Sequence, residues 1–96
     1  ANALMIEPVM TYNREAVPHK FAELAHAVGV SSVSGFVPWL AHLKYQIGIP
    51  FGLAAAGVRR EHLPRLVEIA TRDICHQTNP RPCEAADFER FFREAF

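Results

Sequence analysis

The stretch Asp73-Ile74-Cys75-His76-Gln77-Thr78-Asn79-Pro80-Arg81-Pro82 decides how the chain is read. It closes one amphipathic pattern, crosses a turn stiffened by two prolines, and opens another. Before it, from about Arg60 to Cys75, Leu63, Leu66, Val67, Ala70 and Ile74 recur at helical spacing. Pro64 is compatible with that helix because it falls in the first turn. After it, from about Glu84 to Ala95, Phe88, Phe91, Phe92 and Ala95 share one side. Glu89, Arg90, Arg93 and Glu94 share the other. Cys75 stands at the junction.

Further helix-period patterns lie upstream, and no alternating strand pattern is present. Met5, Ile6, Val9 and Tyr12 predict a helix over about Asn2 to Tyr12, bent or started late at Pro8 and ended near Asn13. Phe21, Leu24, Ala25 and Val28 predict a second, from Pro18 in its first turn to a stop at Gly29. A third follows a cap at Ser31, Ser32 or Ser34, buries Phe36, Val37, Leu40, Leu43 and Ile47, and ends at Gly48-Ile49-Pro50. Phe51 to Val58 reads as a tight, partly buried connection. The expected architecture is one all-α domain over residues 1–96, a compact bundle of about five helices.

Composition narrows the function classes. Half of the 96 residues are hydrophobic, and ten basic side chains balance ten acidic ones. No net field therefore draws the chain to nucleic acid or anionic lipid, which removes a helix-turn-helix DNA binder. No apolar run reaches the roughly 20 residues needed to span a bilayer, and no signal-peptide pattern is present. Cys75 and Cys83 are neither a disulfide framework nor a CxxC site, so a reducing cytoplasm is expected. The apolar pattern is already under way at Ala3-Leu4, which fits either a chain cut from something longer or loss of an initiating methionine.

Three segments, in order, resemble the C-terminal helical domain of the iron-containing alcohol dehydrogenase family. Ala1-Asn2-Ala3-Leu4-Met5-Ile6 with Val9 and Tyr12-Asn13 is similar to the family's A-N-A helix. Gly48-Ile49-Pro50 with Leu53, Gly57-Val58 and Leu63-Pro64 is similar to its G-I-P…L…G-V…L-P stretch. The D-x-C-x-x-x-N-P-R-P run is the third match, and together the segments cover nearly the whole chain. Two departures stand out. Glu7 occupies a position where many members have proline, and Arg59 and Glu84 stand where serine or threonine often caps a helix. Fraying worth about 1 kcal/mol per lost cap is expected at those two starts.

The resemblance implies an NAD(P)-dependent oxidoreductase acting on a small alcohol or aldehyde. It also implies a catalytic Fe(II) or another divalent metal, held by one aspartate and three histidines. Those ligands would lie ahead of Ala1, as would the nucleotide-binding domain, leaving this chain inactive alone and its missing N-terminal domain as chief partner. A homo-oligomer is compatible. No residue of this chain is expected to be catalytic or to ligate the metal. Cys75, by resemblance, faces the cleft near substrate and cofactor. At a helix C-terminus its thiolate is disfavoured, so its expected role is shape and contact.

Three neighbours are expected to support the loop by the cleft. His76 adjoins Cys75. Asn79 is held extended before Pro80 and ties the turn with its amide. Arg81 is read first as the partner of a carboxylate such as Asp73, and second as a phosphate clamp. The other histidines, His19, His26, His42 and His62, form no metal-binding spacing, and Trp39 reads as a packing residue. The competing reading is a stand-alone helical interaction module that docks a partner through Phe88, Phe91 and Phe92.

Overall fold

The computed structural model describes residues 2–96; Ala1, which opens the A-N-A run, lies outside them. Five α-helices follow one another: α1 (Asn2–Arg14), α2 (Pro18–Ala27), α3 (Phe36–Gln46), α4 (Leu63–Arg72) and α5 (Ala85–Glu94). Short 3-10 turns at Val33–Gly35, Arg60–His62 and Ile74–Thr78 connect or introduce them. Among the described residues there is no strand, so the all-α expectation holds. None of these helices is long and apolar enough to cross a membrane.

Two apolar clusters organise the helices into a slab of 39 × 30 × 16 Å. Phe21 and Ala25 of α2 meet Phe36 of α3, with Trp39 stacked on Phe36 at 6.1 Å. On the other side Tyr12 of α1 and Phe91 of α5 meet edge to face at 4.9 Å, with Leu63 and Ala95 also buried. Burying a side chain such as Phe91 contributes about 2–3 kcal/mol. α1 lies between the halves, packing on both α3 and α5. Lys44 of α3 also reaches Glu7 of α1 at 2.7 Å, with side chains only 13% and 28% exposed. Glu7 is thus a strut between two helices.

Several local expectations are corrected. α1 is continuous through Pro8, so the proline removes one rung of the helix without delaying its start. None of the serines caps α3. Ser32 and Ser34 face each other at 3.1 Å, and a 3-10 turn closed by Gly35 N–H on the Ser32 carbonyl leads into Phe36. Ile47 lies beyond the last turn of α3 and is 64% exposed. α4 stops at Arg72, because Asp73 is extended; Ile74 therefore leaves the helical phase and is exposed. The expected fraying is offset from within each helix start. His62 Nδ1 accepts from Arg59 N–H at 3.2 Å, and Asp87 Oδ2 accepts from Glu84 N–H at 2.9 Å.

The connection after α3 is held to the end of α5. Leu53 N–H donates to the Ala95 carbonyl at 2.7 Å. Gly52, at φ +130°, passes so close that a Cβ there would stand 2.5 Å from that oxygen. Gly48 also has positive φ, at +82°, but nothing lies within 4 Å of its missing Cβ. There the Gly48 and Ile49 amides close α3 on the Tyr45 and Lys44 carbonyls, a Schellman end.

Gly48→Ala should therefore cost only the left-handed backbone penalty, about 1–2 kcal/mol. Gly52→Ala should cost clearly more, about 3 kcal/mol or above, because backbone must also move. Urea unfolding of the two variants checks the order, and equal losses would remove the close approach as the cause.

Candidate functional site

Asp73 begins the site by ending α4. Its carboxylate accepts the Cys75 N–H at 2.9 Å, which turns the chain into the 3-10 segment Ile74–Thr78. That hydrogen bond, made chiefly with the backbone, holds the Asp73 carboxyl below its ordinary range. The same carboxylate pushes the exposed Cys75 thiol up, first through a hydrogen bond and then through its charge. Cys75 is thus not on the last turn of a helix, as its spacing suggested. The thiolate is disfavoured by Asp73 beside it. Thr78 Oγ1 closes the turn on the Cys75 carbonyl at 3.2 Å.

Asn79 and Asn13 exchange side-chain amide hydrogen bonds. Asn13 Nδ2 donates to Asn79 Oδ1 at 2.9 Å, and Asn79 Nδ2 donates to Asn13 Oδ1 at 2.7 Å. Asn79 Nδ2 also reaches the Arg81 carbonyl at 2.6 Å. Arg81 does not meet Asp73. Its guanidinium donates to the Tyr12 carbonyl at 3.0 Å and to Glu15 at 2.9 Å, and lies 3.8 Å from the Tyr12 ring centre. The Tyr12 hydroxyl donates to the Pro82 carbonyl. Burial, then the charge of Asp87, raises the Tyr12 pKa and keeps that hydroxyl a donor. The Asn-Pro-Arg-Pro turn is thereby clamped to the C-terminal end of α1.

The clamp leaves an apolar groove of ≈ 500 Å³ between the first turns of α1, the 3-10 segment and α5. Met5, Val9, Phe88, Phe91 and Phe92 line it together with Cys75, His76 and Asn79. His76 is fixed by Nε2 against the Thr71 carbonyl at 3.1 Å and by its ring edge against Phe88 at 5.2 Å. Arg81 lies off the groove, beside a smaller hollow of ≈ 230 Å³ shared with Tyr12, Glu15 and Arg90. Sequence reasoning missed Asn13, Met5 and Val9 as site components. A polar residue ending an apolar stripe was the signal available for Asn13, but it read as a helix stop. Of the phenylalanines read as a docking face, Phe91 is buried, and Phe88 and Phe92 are half-buried walls of the groove.

Among the described residues no three His, Cys, Asp or Glu side chains converge to hold a metal ion. The glycines of positive φ sit at separate turns and make no phosphate cradle.

Asn13→Ala and Asn79→Ala should each lower stability by about 1–3 kcal/mol, since each strands a partly buried amide. The double variant should lose less than the sum, with a coupling of about 1 kcal/mol in a double-mutant cycle. Strict additivity in urea unfolding would show that the two amides act independently.

The sequence model described as "Fe-containing alcohol dehydrogenase family, C-terminal" matches residues 1–96. Lactaldehyde reductase of Escherichia coli K12 is 31% identical, over all of this chain and 27% of its own length. The 1,3-propanediol dehydrogenase of Citrobacter freundii is 32% identical, again over all of this chain and 27% of its own length. The 4-hydroxybutyrate dehydrogenase of Cupriavidus necator is 26% identical over 98% of this chain and 26% of its own length. No solved structure gives a match. The chain thus spans about a quarter of the length of the curated relatives it matches. On the whole-chain match, residues 1–96 belong to the Fe-containing alcohol dehydrogenase family and correspond to its C-terminal part.

Proposed function

We propose that this chain is the helical C-terminal portion of an NAD(P)-dependent, iron-containing alcohol dehydrogenase that interconverts a small alcohol and its aldehyde. The match of the family over all 96 residues carries the reading. Relatives that reduce lactaldehyde or act on 1,3-propanediol and 4-hydroxybutyrate support a small oxygenated substrate. The nucleotide-binding domain and the metal ligands belong, on this reading, to the three quarters of the relatives that this chain does not span. No step of ion coordination or hydride transfer is assigned to residues 2–96.

What these residues contribute is one wall of a cleft. Met5, Val9, Phe88 and Phe92 offer carbon surface that excludes water from a small substrate. Cys75, kept a neutral thiol by Asp73, offers volume and a weakly polar contact without acting as a nucleophile. Asn79 and Arg81 hold the loop that carries it.

The full-length protein, supplied with ferrous iron and NAD(P)⁺, should oxidise short primary alcohols with the appearance of the reduced-nicotinamide absorption band. The 96-residue chain given the same additions should stay silent; turnover by it alone would refute the division of labour. In the full-length enzyme Cys75→Ser should change KM or substrate range while kcat stays within about an order of magnitude. A collapse of kcat with metal content intact would show that the thiol takes part in the chemistry.

A further inference from the structure

The polar groups of the apolar groove are mostly committed to the protein itself. Asn79 is engaged by Asn13 and by the Arg81 carbonyl. The Thr78 hydroxyl donates to the Cys75 carbonyl, and the Cys83 thiol to the Arg81 carbonyl at 3.5 Å. The Cys75 N–H donates to Asp73, whose carboxylate also bears on the thiol. His76 differs. Its Nε2 lies 3.1 Å from the Thr71 carbonyl, and a carbonyl oxygen can only accept, so Nε2 carries the hydrogen. In the neutral ring that hydrogen bond fixes the tautomer and leaves Nδ1 with a lone pair. Among the described residues Nδ1 has no partner.

Packing fixes the ring as well as the tautomer. Phe88 meets its edge at 5.2 Å, and Phe88 is itself held by Phe91 at 6.2 Å. A ring of set orientation and tautomer therefore lines a groove whose surface is mostly carbon. A ligand suited to it pairs a short hydrocarbon chain with a hydroxyl that donates to Nδ1. An alkanol with only the reacting hydroxyl offers Nδ1 no donor, whereas a second hydroxyl does.

We propose that His76 is a specificity-determining residue whose Nδ1 accepts a hydrogen bond from a second hydroxyl of the substrate, so that the groove selects short diols over simple alkanols. The proposal rests on the alcohol dehydrogenase reading and adds the substrate class. It involves no change in the ring's charge, only the lone pair of the neutral tautomer.

The test compares tetramethylene glycol with n-butanol, which differ only in the second hydroxyl, as substrates of the full-length enzyme. The wild type should favour the glycol in kcat/KM by about tenfold, the scale of one well-made hydrogen bond. His76→Phe keeps a ring against Phe88 but has no acceptor, and should bring the ratio close to one, mainly through KM for the glycol. His76→Gln supplies both a donor for Thr71 and an acceptor, and should keep most of the preference. An unchanged ratio in His76→Phe, or no preference in the wild type, overturns the assignment.

A second measurement does not depend on turnover. In full-length protein carrying nitrogen-15 histidine, the glycol should shift the His76 Nδ1 resonance and n-butanol should not. Equal or absent shifts with both ligands overturn the proposal even if a variant fails to fold. Absence of any alcohol oxidation together with a glycol-specific shift would defeat the dehydrogenase reading while supporting His76 as a hydroxyl acceptor.

Discussion

The reciprocal amide pair between Asn13 and Asn79 is the constraint from which the rest of the site follows. These residues are 66 positions apart, and their contact joins the end of α1 to the turn that precedes α5. A side-chain amide has both a donor and an acceptor, so two of them can satisfy each other face to face. Asn13 is buried, and in the absence of its partner its amide would be stranded away from water. The turn after α4 therefore has one favourable placement against α1. Arg81 reinforces it through the Tyr12 carbonyl, the Tyr12 ring and Glu15. With the turn pinned there, the Ile74–Thr78 segment lies over Met5 and Val9, and the groove exists.

Asp73 performs two tasks with one carboxylate. By accepting the Cys75 N–H it ends α4 and starts the 3-10 segment. By standing next to the thiol it makes the thiolate unfavourable. Chain geometry and cysteine chemistry are thus set by one side chain, and a neutral acceptor such as asparagine in its place would separate them, keeping the turn and losing the charge. The result is a cysteine that is exposed and whose thiolate is disfavoured.

Much of the helical layout was legible from spacing. Phe21 and Ala25 at i and i+4 predicted the buried face of α2, and Phe91 and Ala95 that of α5. Gly29 and Gly48 marked helix ends because few other residues reach the backbone that a Schellman end needs. The end of α4 was not legible, since Ile74 continued the apolar period that Asp73 interrupts. The caps at Arg59 and Glu84 were hidden because the accepting groups, His62 and Asp87, sit three residues later and carry no signal at the cap position itself. In the site, Cys75, His76 and Asn79 could be picked out from one short run. Asn13 and the partner of Arg81 could not, because their roles depend on a tertiary contact that periodicity does not encode.

The Glu7–Lys44 strut has an evolutionary consequence. Both charges are largely withdrawn from water, so losing either one strands the other in a poorly solvated place. Substitution at either position is then epistatic with the other, and the tolerated histories are those in which both change together. A lineage that places proline at position 7 loses the reason to keep a lysine at position 44. Changes at positions 7 and 44 are therefore expected to go together, since each charge braces α1 to α3 only while the other is present.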